Sequence, residues 1–279
     1  MTLAPARALW TMFEPLHAVT YFSPHAREAF EEIGLRGFWR GYFAGRAAPL
    51  GRVEAAPVTA LFAGFKHDMV AKAIPQVWDL AAPEVVLQAR QDGAVAALQS
   101  VLPDVDAVAR AAAPLQEAAT RATWSGLALG GANAALPWPD EPYAVLFHAA
   151  TVLREIRGDA HVAAQVLAGL TGLDAMILRS LQDIDREILQ PSRGWTDDEW
   201  YAATAGLVER GLIAGSTITP TGEALVADVE RRTDEVAHQP WRAAGPSTSE
   251  AFLEAAEPLV ALVVPILPAK TPIGIPGRG

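Results

Sequence analysis

Apolar side chains recur along this chain at three- and four-residue spacings cut short by Pro and Gly, which is the signature of many short amphipathic helices. The first runs from about Ala4 to Phe22, where Trp10, Phe13, Leu16 and Thr20 approximate one helical stripe. Ser23 suits an N-cap and Pro24 the first helical position of a second helix, which would reach Ile33 and stop at Gly34. A third segment, Arg36 to Ala48, carries Phe38, Trp39, Tyr42 and Phe43 on a broad aromatic surface. Pro57, Pro75, Pro83, Pro103 and Pro114 then fall at distances that predict helix starts, because a helix interior rejects Pro.

The stretch 130–142 (GGANAALPWPDEP) concentrates Gly and Pro between helical patterns and predicts a linker. Beyond it, Tyr143, Leu146, Phe147, Ala150 and Leu153 mark a helix to Ile156, with a break expected at Gly158 and a second helix from Asp159 to Ala168. A further helix is expected over Thr171 to Leu189. Thr196 with Glu199 forms a capping box in front of Asp197 to Arg210. Two very short strands around Gly215-Ser216 and a long helix, Thr221 to His238, complete the order of a winged helix. The expected fold is therefore all-α with a small β-wing. Its expected parts are an N-terminal helical unit (1–129), a linker (130–142), a winged-helix unit (143–241), and a C-terminal helix with an extended Pro/Gly arm (242–279).

Composition narrows the function classes. With 51% hydrophobic and 19% charged residues over 279 positions, the chain can bury a sizeable core. A formal charge of −10 repels phosphate backbones and anionic membranes unless cations cluster locally. The absence of Cys removes disulfides, a thiolate nucleophile and Cys-ligated zinc, and leaves nitrogen ligation to six His. No signal-peptide pattern and no apolar run of transmembrane length is apparent, so the expected location is the cytoplasm.

Residues 205–236 (AGLVERGLIAGSTITPTGEALVADVERRTDEV) resemble the recognition helix, wing and following helix of the MarR-type winged-helix regulators. HAVTYF (17–22), GFWRGYFAGRAAPLG (37–51), FHAATVLREIRGDAHVAA (147–164) and GWTDDEW (194–200) resemble a largely uncharacterised actinobacterial family of helix-turn-helix proteins. These likenesses imply a shared architecture and carry no activity with them. The segment meant for a major groove bears Asp197, Asp198, Glu199 and Glu209 against one Arg, whereas base reading calls for Arg, Lys, Asn or Gln. Specific DNA binding is not expected.

Two polar clusters remain as candidate chemistry. His148, Arg154, Glu155, Asp159 and His161, with Thr151, are packed into fourteen residues, and a turn at Gly158 would fold Asp159 and His161 back towards Glu155 as an acid–base site. The same residues could instead clamp a helix corner through Arg–carboxylate pairs. In the N-terminal unit His17 and Tyr21 share a helix face, His25 follows the Ser-Pro corner, and Trp39, Tyr42 and Arg46 align on another helix. An Arg at the end of an aromatic stripe suits a planar or carboxylate-bearing ligand, and the alternative is an aromatic core with Arg46 reaching water. The His-Ala-x-Thr sequences at His17 and His148 also raise the idea of an internal repeat.

The function expected from these features is binding of an aromatic or carboxylate-bearing small molecule, with cofactor-free enzymatic turnover left open. The alternatives are a dimeric winged-helix transcriptional regulator and a haem- or metal-binding protein that uses His. No cofactor is identifiable, no zinc spacing is present, and no membrane partner is expected.

Overall fold

The computed structural model describes residues 5–274. The chain is mostly helical with one two-stranded hairpin: α1 (Pro5–Phe22), α2 (Pro24–Glu32), α3 (Phe38–Ala47), α4 (Ala55–Phe62), α5 (His67–Val70), α6 (Val77–Leu80), α7 (Pro83–Gln99) and α8 (Val105–Thr120). There follow α9 (Ala128–Ala134), α10 (Pro142–Leu167), α11 (Gly172–Ser180), α12 (Arg186–Arg193), α13 (Asp197–Glu209), β1 (Ile213–Ala214), β2 (Thr217–Ile218), α14 (Pro220–Ala237), α15 (Gln239–Ala244) and α16 (Pro246–Val263). No single helix among the described residues is long and apolar enough to cross a membrane.

Local chemistry sets many of these boundaries. Ser23 Oγ accepts from the His25 amide and Pro24 opens α2. The helix closes in a Schellman turn, in which Gly34 (φ +88°) donates to Glu31 O and Leu35 donates to Phe30 O at 2.9 Å. Thr196 and Glu199 form the reciprocal capping box of α13, and Gly215 (φ +60°) turns the hairpin that pairs Ile213 with Ile218.

Tertiary packing overrides the pattern elsewhere. Gly158 makes no break, because α10 runs unbroken for 26 residues against α8, α14, α9 and α1. A single helical Gly costs about 1 kcal/mol, which burial on several neighbours offsets readily. Pro114 lies inside α8 and not at a helix start; the Arg110 carbonyl that it deprives of a donor belongs to a solvent-exposed residue. The segment expected as one helix over Thr171 to Leu189 divides into α11 and α12. The stretch 130–142 is not free chain: it includes most of α9, where Gly130 and Asn133 are buried, and the Glu141 carboxylate caps α10 through the Ala144 amide.

The apolar interior forms two clusters. The larger joins α1 to α9, the first half of α10, and Trp241, Phe252, Leu259 and Val263 of α15 and α16. The smaller gathers Ala164 at the end of α10 with α11 to α14 and the hairpin, including Leu189, Trp200, Leu207 and Val229. The C-terminal helix thus packs with the N-terminal elements, against α8 and α1. The arm is not extended into solvent as far as residue 274: Leu267 and Thr271 are buried, and the Pro272 and Ile273 carbonyls accept from Arg193 and Arg179. Its last residues, 275–279, and Ala4 of the expected first helix lie outside the described residues.

Candidate functional site

The Schellman turn of α2 brings Phe30 and Leu35 side by side on the face that meets α3. Gly41 and Gly45, one turn apart on α3, accept the Phe30 ring; a Cβ at either would stand 2.8 Å from it. Between these helices and the end of α1 opens a cleft of about 320 Å³ lined by Thr20, Tyr21, Phe30, Leu35, Phe38 and Tyr42, with Arg27 at its mouth. It shares Tyr21, Phe30 and Tyr42 with a deeper recess of about 260 Å³, whose floor adds His17, Arg46, Arg90 and Glu155. In its present shape the recess admits no more than a water-sized group.

The floor is a buried ion network. Arg46 grips Glu155 through two hydrogen bonds, Nε to Oε1 at 2.9 Å and Nη2 to Oε2 at 2.8 Å, and its guanidinium lies 4.0 Å from the Phe62 ring centroid. Arg154 donates to the same Oε2 at 2.8 Å and approaches Glu14 at 3.8 Å. Burial alone would push the Glu155 carboxyl up, but the charges of Arg154 and Arg46, with the Arg46 hydrogen bond, hold it well below the usual carboxylate range. Arg46 Nη1 also donates to the Tyr42 hydroxyl at 3.1 Å. Burial raises the Tyr42 phenol, yet Arg46, Arg193 and Arg154 outweigh it and bring the phenol below its ordinary value.

His17 is the neutral member. Thr151 donates to the Phe147 carbonyl at 2.8 Å, so its oxygen accepts from His17 Nδ1 at 3.0 Å and leaves Nε2 to accept from the Tyr21 hydroxyl at 2.9 Å. That bonding order assigns the imidazole proton to Nδ1. Burial first, and the Arg154 charge second, keep the ring well below its usual pKa. Burial likewise raises the Tyr21 phenol, so Tyr21 and His17 form a proton-holding pair beside the recess.

Of the residues singled out from sequence, His17, Tyr21, Tyr42, Arg46, Arg154 and Glu155 come together here. Trp39 packs half-buried on Phe38, Phe43 and Phe65 and does not line the recess. His25 is exposed on α2. His148 stands edge-on to Trp138 with its Nε2 unbonded, and burial with the Arg90 charge lowers it to about 4. Asp159 does not fold back on Glu155, since α10 is continuous; its Oδ2 accepts from the Gly130 amide at 2.9 Å and so caps α9. Burial pushes that carboxyl up to about 6 despite the amide. His161 bonds to Thr233 and Gln165, and Arg157 to Glu230, on the side of α10 that meets α14. The acid–base corner expected around Gly158 is thus dispersed over three contacts.

The two His-Ala-x-Thr sequences meet through the His17–Thr151 bond, but His148 makes no matching bond to Thr20. Arg90 was not singled out from sequence. It occupies the apolar register of α7 with Val86, Gly93, Ala94 and Ala97, and a cation in such a register is itself a signal of a buried polar site. Among the described residues no three His, Asp or Glu side chains converge as a metal site.

The outward face of α13 exposes Asp197, Asp198, Tyr201, Ala202, Ala205, Val208 and Glu209, with no cation before Arg210, which approaches Asp174 at 3.7 Å. On α14, Arg231 and Arg232 pair with Asp228 and Glu235 of their own helix. The chain matches the helix-turn-helix family over residues 6–266. No curated protein and no solved structure matches it.

Proposed function

The chain belongs to the helix-turn-helix family, and from that premise we propose that it is a small-molecule-binding protein whose ligand enters the cleft between α2 and α3. One observation carries this reading: an aromatic cleft leads down to a buried floor where Arg46, Arg90, Glu155, His17 and two phenols converge. Apolar walls with a few convergent polar groups are the usual make-up of a ligand site. A packed core has no need of that polar surplus, because each buried charge costs free energy until it is paired. Held neutral by burial, the Tyr21–His17 pair adds neutral hydrogen-bonding groups to the site.

Thermal-shift screening of small aromatic compounds, with side-chain NMR of Tyr21 and Tyr42, tests the proposal. Binders should raise the melting temperature and perturb both phenols. Binders that leave both unperturbed would place the ligand elsewhere and overturn it.

Family membership and the helix–hairpin–helix order of α13, β1, β2 and α14 favour a second reading, a winged-helix regulator of MarR-like form. Against it stands the acidic outward face of α13, which offers phosphate and base edges no free cation. Selection of genomic duplexes by the purified protein at physiological salt should return no operator bound at about 10⁻⁸ M or tighter, the ordinary range of specific readers. A defined operator at that affinity would establish the regulator reading.

A further inference from the structure

We infer that Arg90 is the anchor for a single negative charge on the ligand, which makes that ligand a small planar carboxylic acid; the inference rests on the recess being a ligand site. The floor of the recess and its immediate neighbours hold three guanidiniums, Arg46, Arg90 and Arg154, and two carboxylates, Glu155 and Glu14. Arg46 and Arg154 share Glu155, and Arg154 also faces Glu14. Among the described residues Arg90 has no carboxylate partner. It is 6% exposed, donates from Nη1 to the Gly45 carbonyl at 3.0 Å and from Nη2 to Asn133 Oδ1 at 3.1 Å, and its buried Nε is unbonded.

Both of these acceptors are neutral, so no carboxylate bonds the buried guanidinium directly and Glu155 offsets its charge only from a distance. Burial lowers it to about 10, with Glu155 only partly opposing the shift, and it therefore stays charged at neutral pH. The missing partner is one negative charge at hydrogen-bonding distance from Nε, and a carboxylate matches the remaining donors of a planar guanidinium. Arg193, among the described residues the other buried arginine without a carboxylate, offers no competing anchor: it packs on the Phe65 ring, donates to the Ser192 and Pro272 carbonyls, and does not line the recess.

The walls restrict the rest of the ligand. Tyr21, Phe30 and Tyr42 surround the approach to Arg90, and Thr20 is the only aliphatic hydroxyl among the lining residues. Such walls favour a flat apolar body over a sugar or a polyol. The recess holds no more than a water-sized group as it stands, so a ligand must part its walls to enter, and a single flat ring demands the least opening. Glu155 disfavours a second negative charge by facing the same space.

The test compares benzoate with benzamide, its neutral near-isostere, by saturation-transfer NMR titration on the full chain, together with 2-naphthoate and 2-naphthamide as a larger pair. The acids should bind at least ten-fold tighter than the amides. Arg90→Met should erase that preference and Arg90→Lys should retain part of it. Equal binding of acid and amide would overturn the anchor while leaving the recess as a ligand site. Binding of neither pair would overturn the ligand-site reading itself. A preference that survives in folded Arg90→Met would assign the anchor to another group and refute this inference. Should Arg90→Met fail to fold, the wild-type acid-to-amide ratio and Arg90→Lys decide the matter.

Discussion

Replacing Glu155 by Gln removes one charge from the centre of the floor and keeps its shape. Glu155 is 1% exposed and accepts two hydrogen bonds from Arg46 and one from Arg154, all between 2.8 and 2.9 Å. Gln retains one acceptor oxygen and turns a donor NH₂ towards a guanidinium, so at least one of the charged contacts becomes donor against donor. Three guanidiniums would then share the neighbourhood with Glu14 alone, whose nearest approach to Arg154 is 3.8 Å. Loss of one partner of a buried ion pair costs about 3–5 kcal/mol, and in a chain of this size that corresponds to a drop of roughly 6–12 °C in melting temperature. Calorimetry on folded Glu155→Gln, checked by circular dichroism, measures it. The variant recess should also bind anions more tightly, so benzoate at ten times its dissociation constant should restore about 1.4 kcal/mol. A melting temperature within 2 °C of wild type, with no added response to benzoate, would refute the description of this floor as a compensated charge cluster.

Two further outcomes follow from the same geometry. Asp159 has a native pKa of about 6 against an ordinary 3.8, so the native state binds its proton more tightly than the unfolded chain does. Its contribution is complete only below about pH 4 and is lost as pH rises through 6; relative to Asp159→Asn, wild type should lose about 2 kcal/mol between pH 4 and 7. Denaturant titrations at pH 4.0, 5.0 and 7.0 check this, and parallel curves for the two proteins would contradict it. His17 should remain neutral with its proton on Nδ1 at pH 5, as read by ¹⁵N chemical shifts of the ring, and an imidazolium signal there would break the Tyr21–His17–Thr151 bonding order.

The features legible in the sequence were those decided within one turn of chain. Ser23, Pro24 and Gly34 bound α2, Thr196 and Glu199 start α13, and Gly215-Ser216 turns the hairpin, because each meets a backbone demand that few residue types satisfy. On the same grounds His17, Tyr21, Tyr42 and Arg46 could be grouped, since they lie one helical turn apart in pairs on α1 and α3. What escaped depended on contacts distant in sequence. Nothing local distinguishes Gly158 from a helix end; the packing of α10 on α8, α14, α9, α1 and α7 does. Pro258 inside α16 gives no hint that this helix belongs with α1 and α8. Arg90 is bound by Gly45 and Asn133, each more than forty positions away, and only its place in the buried stripe of α7 announced it.

The continuity of α10 changes what the two sequence clusters mean. With a corner at Gly158, the groups from His148 to His161 would have formed one site; on a straight helix they face different neighbours at 100° per residue. Glu155 reaches Arg46 and Arg154, while two residues on Arg157 turns to α14, where Glu230 and Asp234 receive it with Arg7 of α1. Arg157 also stacks at 4.8 Å over the Trp10 ring, so α1, α10 and α14 are tied at one level. The recess floor and the seat of the helix–hairpin–helix unit therefore share one stretch of α10. Any shift of α10 that opened the Arg46–Glu155 fork would have to break or carry with it the Arg157–Glu230 contact. The helix–hairpin–helix unit and the recess are linked through α10 for that reason, even though their apolar clusters are separate.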